Sequence, residues 1–125
     1  MSQGMIAIVD DDDALRDAVA SLVRALGYDT ATFGSAEAFL ESEQISDTSC
    51  IITDMQMPGL SGLDLQDRLI AKGHRIPIIF ITGFPDENAR ARAMKAGAVA
   101  FLSKPCDGDH LLDCLEKALS GESGM

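Results

Sequence analysis

Asp10 and Asp11 follow the apolar run Met5–Val9, and Asp54 closes another, Cys50–Asp54. Carboxylates brought into one small volume repel. Crowding raises the pKa of at least one of them or costs folding free energy, and an oxygen-liganded cation such as Mg2+ relieves both. Thr82 ends the run Pro77–Thr82, and Lys104 lies just past Val99–Leu102. A lysine is a mobile point charge that pairs with phosphate, and a threonine hydroxyl donates one hydrogen bond to it. The set suits phosphoryl chemistry, which needs positioning and charge neutralisation more than covalent help. Each residue also has a plainer structural reading. Asp is a good helix N-cap and suits the positive end of the helix dipole, a strand-end Thr is ordinary β-propensity, and a strand-end Lys is usually solvated. Asp12 and Asp13 are assigned to capping, whereas Asp10 and Asp11 abut the apolar strand and are assigned to the site with Asp54.

Groups so far apart in sequence meet only if a fold brings them to one edge. Short apolar runs alternate along the chain with segments of helical period, which argues for a parallel sheet covered by helices on both faces. The strands read as Met5–Val9, Tyr28–Phe33, Cys50–Asp54, Pro77–Thr82 and Val99–Leu102. The first, third and fourth lack a polar face and are central; the second and fifth alternate more and are edges. Leu15, Val19, Leu22, Val23 and Leu26 recur at helical spacing and stop at Gly27, a left-handed C-terminal cap. Gly73 after Leu63–Lys72 and Gly97 after Glu87–Ala96 repeat the device, while Ser35 and Asp86 open the second and fourth helices. The last helix, Asp109 to Ser120, carries Leu111, Leu112, Leu115 and Leu119 on one face. In a doubly wound sheet of this kind chemistry collects outside the carboxyl ends of the strands, where Asp10, Asp11, Asp54, Thr82 and Lys104 all fall.

Composition narrows the function. A chain of 125 residues has room for one domain, and its net charge of −10 opposes direct binding to nucleic acid. No apolar run approaches the ~20 residues of a membrane helix, so no membrane span is expected. Three cysteines, Cys50, Cys106 and Cys114, without metal-ligand spacing, disfavour a disulfide framework and fit a reducing compartment such as the cytoplasm. With two histidines, His74 and His110, both read as surface residues, a His-rich zinc site is disfavoured as well.

Val9-Asp10-Asp11, the loop Asp54-Met55-Gln56-Met57-Pro58-Gly59-Leu60-Ser61-Gly62, Ile81-Thr82-Gly83, Lys95-Ala96-Gly97-Ala98 and Lys104-Pro105 together resemble the receiver domain of a two-component response regulator. The resemblance covers essentially the whole chain. The Ile-Thr-Gly run and the acceptor loop are most similar to receivers of the nitrogen-fixation-regulator type, whose full-length members carry a C-terminal helix-turn-helix output domain. The resemblance implies a flavodoxin-like (βα)5 fold, a doubly wound five-stranded parallel sheet of strand order 2-1-3-4-5. It implies that Asp54 is the phosphoacceptor, taking a phosphoryl group from a phosphohistidine of a sensor histidine kinase. Asp11 and Asp54 would ligate Mg2+, or another divalent cation such as Mn2+, with the backbone carbonyl of Gln56; Asp10 would act through bound water. Lys104 would pair with phosphoryl oxygens, Thr82 would bond one of them, and Phe101 would change rotamer with the state. The Lys104–Pro105 bond would be cis. Residues 1–120 would form the receiver, with 121–125 a tail or the start of a linker, and the output would be transcription through a DNA-binding domain beyond this chain.

Other classes fit less well. A metal-dependent phosphohydrolase with an aspartyl nucleophile typically carries a second Asp two residues on, where this chain has Gln56, and adds a cap domain. A flavodoxin-like cofactor binder wants a phosphate loop after the first strand, where four carboxylates stand. A receiver that is never phosphorylated would not need the acidic residues, Thr82 and Lys104. A stand-alone receiver acting by protein-protein contact is the alternative output. Met55 and Met57 are read as loop packing, Cys106 departs from the aromatic or apolar residue usual after Lys-Pro, and Gln56 and Phe84 flank the path of hydrolytic water. Ala89, Ala91, Ala93, Ala96 and Ala98 bury little area, which makes the fourth helix cheap to displace. Arg90, Arg92 and Lys95, with Asp107, Asp109 and Asp113 in the fifth helix, suggest a dimer through helix 4 and strand 5 with charges setting register.

Overall fold

A computed structural model describes residues 5–83, 86–104 and 107–120. Along the chain run β1 (Met5–Val9), α1 (Asp13–Ala25), β2 (Asp29–Phe33), α2 (Ala36–Glu41), β3 (Thr48–Asp54), α3 (Gly62–Ala71), β4 (Ile78–Thr82), α4 (Glu87–Lys95), β5 (Ala100–Ser103) and α5 (Gly108–Ser120). All strand pairs are parallel and the sheet order is β2-β1-β3-β4-β5, so β1, β3 and β4 are central as their apolar runs require. Phe84, the Lys104–Pro105 bond, Cys106 and the 121–125 tail lie outside the described residues.

The period of two along each strand sends alternate side chains to opposite faces, and both faces are apolar. Ile6, Ile8, Cys50, Ile52, Ile79 and Ile81 meet α1 and α5 through Val19, Val23, Leu111 and Leu115. Ala7, Val9, Ile51 and Phe80 face the other way, onto Phe39 of α2, Leu65 and Leu69 of α3, and Ala93 of α4. The helix ends follow the capping residues. Asp12 accepts from Leu15 N, Ser35 from Ala38 N and Asp86 from Asn88 N, while Gly27, Gly73 and Gly97 take φ of +100°, +82° and +106°.

Strand boundaries differ from the sequence reading, β2 and β4 each starting one residue later, at Asp29 and Ile78. β3 begins at Thr48 because a 3-10 turn, Ile45–Asp47, delivers the chain early and Thr48 Oγ1 donates to Gln44 O at 2.7 Å. Ser49 is then the extra residue of a bulge, since Met5 pairs with Thr48 and Ile6 with Cys50. β5 is shifted one residue, to Ala100–Ser103. His74, read as a surface residue, is half-buried because its amide turns back to Leu69 O at 2.9 Å to close α3; His110 is exposed.

Candidate functional site

Parallel strands end at one edge, and backbone hydrogen bonds between their ends set the spacing of the side chains just beyond them. Asp10 N donates to Phe33 O, Met55 N to Ile81 O and Lys104 N to Thr82 O, at 3.1, 3.0 and 2.8 Å. Asp10 and Asp54 are 5% and 7% exposed, and Asp11 projects at the surface beside them. A carboxylate oxygen of each comes within 4.8 Å of those of the other two. Lys104 reaches over from β5: its Nζ lies 2.9 Å from Asp54 Oδ2 and 3.7 Å from Asp10 Oδ2. Asp54 Oδ1 accepts the amide of Gln56 at 3.0 Å and Asp10 Oδ1 that of Asp12 at 2.9 Å. The edge therefore brings Asp10, Asp11, Asp54 and Lys104 together as the sequence suggested, with buried Thr82 at the end of the adjoining strand.

Burial raises the Asp10 carboxyl above its ordinary range; the Asp12 amide opposes this and the charge of Asp54 adds to it. For Lys104 burial alone would lower the pKa, but the hydrogen bond to Asp54 and the charges of Asp10 and Asp54 prevail and raise it. One lysine thus faces several carboxylates. The donors are carboxylate oxygens without histidine or thiolate, the set a hard divalent cation prefers.

The loop after Asp54 holds a residue whose role motif reading did not supply. Gly62 N donates to Met55 O at 3.0 Å, and a Cβ on Gly62 would collide with the backbone oxygen of Asp54. Only a bare Cα lets α3 start so close to the end of β3. The helix opens with a reciprocal cap, Ser61 Oγ accepting from Asp64 N and Asp64 Oδ2 from Ser61 N, and those bonds from Ser61 hold the Asp64 carboxyl below its ordinary range. Met55 is buried in the core, as read, and Gln56 is exposed with its amide committed to Asp54. A second residue missed is Arg16, whose Nη1 donates to Asp10 O at 2.7 Å. The signal was an arginine six positions past a site aspartate, invisible without the helix geometry.

Phe101 is half-buried on β5, its ring centroid 6.4 Å from that of Phe80, beside an open pocket of about 300 Å³ lined by Asp86, Glu87, Arg90, Phe101 and Ser103. Within α4 itself Ala93 is the one buried residue, as its small side chains imply; Ala96 caps the helix and Ala98 lies beyond it. Two polar contacts tie α4 to α3: buried Gln66 Nε2 donates to Ala93 O at 3.2 Å, and Arg92 pairs with Asp67 at 2.6 Å. Arg90 pairs with Glu87 at 3.4 Å. Arg92, read as one of the charges setting register in a dimer, is engaged within the chain.

Sheet order, two-sided helix cover and an acidic edge with its lysine define a two-component receiver. The chain belongs to the response regulator receiver domain family, which residues 6–116 match. It is 44% identical over 117 residues to Nodulation protein W of Bradyrhizobium diazoefficiens, covering 94% of this chain and 52% of that protein. Transcriptional regulatory protein FixJ of the same species is 37% identical over 118 residues, covering 94% of this chain and 58% of that protein. Among solved structures, FixJ-N superposes with a TM-score of 0.86 at 34% identity over 97% of both chains. StyR superposes with 0.86 at 42% identity over 93% of this chain and 59% of that one. The chain spans about half the length of the curated relatives it matches. No helix among the described residues is long and apolar enough to cross a membrane.

Proposed function

We propose that this receiver is a phosphorylation-controlled switch with Asp54 as its phosphoacceptor, and that its donor is a phosphohistidine on a sensor histidine kinase. The carrying observation is the approach of Lys104 Nζ to Asp54 at 2.9 Å inside a cluster of three carboxylates. An Asp54 carboxylate oxygen attacks phosphorus; the bond from phosphorus to the histidine nitrogen breaks, and the imidazole keeps the electron pair. Asp11, Asp54 and the carbonyl of Gln56 would hold Mg2+, with Asp10 acting through water, and Mn2+ fits the same donors. When bound, the cation neutralises charge on the transferring phosphoryl group. Lys104 exchanges part of its contact with Asp54 for phosphoryl oxygens, and Thr82, at the end of β4, donates to one of them. The product carries about −1.5 to −2 charge, enough to draw the Thr82 loop inward and let Phe101 turn toward the core.

Residues 1–120 form the receiver in this reading. Relatives named as transcriptional regulators support transcription as the output, through a DNA-binding domain outside these residues, with the switch acting in the cytoplasm. Action by protein-protein contact alone is the alternative. The open pocket beside Phe101 supports α4 and β5 as the surface that changes, by forming a phosphorylation-dependent dimer. The direct test is labelling by a small phosphodonor such as acetyl phosphate, read by intact mass in Mg2+. Wild type should gain one phosphoryl group and Asp54→Asn none; undiminished labelling of Asp54→Asn removes Asp54 from the role.

A further inference from the structure

Four consecutive carboxylates, Asp10 to Asp13, would splay apart if nothing directed their backbone. Asp10 N is held by Phe33 O, Asp10 Oδ1 by the Asp12 amide, and Asp12 Oδ1 by the amide of Leu15. The remaining tie comes from Arg16. Its Nη1 donates to the carbonyl oxygen of Asp10 at 2.7 Å and its Nη2 meets Asp13 Oδ1 at 2.6 Å. The side chain is 18% exposed and lies against Gly34, where an added Cβ would stand 3.5 Å from Nη1. One guanidinium grips both ends of the acidic run, which its fixed fork of donors permits and a lysine ammonium does not.

Asp11 is the exposed member of the carboxylate cluster, and no side-chain hydrogen bond among the described residues orients it. Its direction therefore comes from its backbone. A peptide unit is planar, so fixing the oxygen of residue 10 fixes the amide of residue 11. We infer that Arg16 is a positioning residue for the cation site: by holding the Asp10 carbonyl it sets the Asp10–Asp11 peptide plane and with it the approach of Asp11 to Asp10 and Asp54. The inference rests on the divalent-cation reading of that cluster given above.

Coulomb's law assigns the opposite sign to a simpler role. Arg16 is a cation beside a divalent site, so if it contributed only charge, its removal would tighten cation binding. A positioning role requires weaker binding. The readout is Mn2+ affinity from the free-ion electron paramagnetic resonance signal, with Mg2+-induced thermal stabilisation as a second measure; neither depends on phosphoryl transfer. Arg16→Gln should weaken Mn2+ binding about tenfold, the low end for residues that orient metal ligands. Arg16→Lys should fall between, and Asp13→Asn, which leaves Nη1 on the Asp10 carbonyl, should stay close to wild type. Unchanged or tighter binding by folded Arg16→Gln overturns the inference. If that variant does not fold, Arg16→Lys decides, and wild-type affinity there overturns it. A wild type that binds neither ion removes the cation reading and this inference with it, whereas binding by wild type with an unmoved Arg16→Gln removes this inference alone.

Discussion

Lys104 and Asp54 stand 50 residues apart in sequence and 2.9 Å apart in space. Their contact joins an edge strand to a central one across β4, and the backbone bond from Lys104 N to Thr82 O places the lysine on the same pivot as the threonine. In the proposed mechanism lysine and threonine read the same acceptor from adjacent positions, with different chemistry.

That difference is separable. Lys104→Ala should slow labelling by a small phosphodonor and blunt the conformational response, because charge neutralisation is lost. Thr82→Ala should still accept phosphate but respond weakly. Amide exchange across α4, with and without beryllofluoride, reports the response. Equal responses in wild type and Thr82→Ala would sink the coupling role of the threonine.

Asp10 makes a prediction about pH. Its carboxyl is raised above the ordinary 3.8 chiefly by burial, so the folded chain holds that proton to a higher pH than the unfolded chain does. The sign comes from proton counting: where the folded state binds more protons, stability falls as pH rises. Without divalent cations this contribution is favourable at acid pH and declines through the interval between 3.8 and the raised value, leaving the charged form destabilising at neutrality. Asp10→Asn should raise the Tm in EDTA at pH 7 and flatten that part of the profile. A lower Tm across the whole range would contradict it.

Gly62→Ala tests the close approach of α3 to the Asp54 backbone. The added methyl meets the Asp54 carbonyl, Phe80 Cε1 at 3.0 Å and Met55 Cα at 3.2 Å. Overpacking against backbone costs about 1–3 kcal/mol. Because the displaced oxygen belongs to Asp54 itself, phosphodonor labelling should slow more than stability alone explains. Chemical denaturation beside a labelling time course measures both, and a variant of wild-type stability and rate would show that the turn yields freely.

The dimer prediction uses residues not already paired across helices. Arg92 is held by Asp67, so Arg90→Glu with Lys95→Glu is the cleaner charge reversal. Sedimentation should show the wild-type chain shifting from monomer toward dimer with beryllofluoride, less so at high salt and less in the double variant. A monomer in both states at high micromolar concentration leaves a different output partner as the better account.

Strand identity was legible because β1, β3 and β4 are apolar on both faces, a pattern that only a covered parallel sheet accommodates. The candidate site was legible because its members stand at or just past the carboxyl ends of β1, β3, β4 and β5. Thr48 and Ser49 hid the start of β3, since polar residues at a bulge carry no periodic signal. Arg16 and Gly62 were not legible as parts of the site for a related reason: each acts through a backbone oxygen, of Asp10 and of Asp54, and a backbone contact leaves no residue pairing to find in sequence. The engagement of Arg92 was not legible because its pairing with Asp67 depends on the relative rotation of α3 and α4.

Gln66 holds α4 at Ala93, and Arg92 holds it one residue earlier; both fastenings lie in the second half of a helix that begins at Glu87. Mechanically this is a door with its hinges at one end. The swinging edge is the one nearest Thr82 and Phe101. If the Thr82 loop moves inward as proposed, a pull applied there would tilt the helix about Ala93, and the surface farthest from the Gln66 amide would move most.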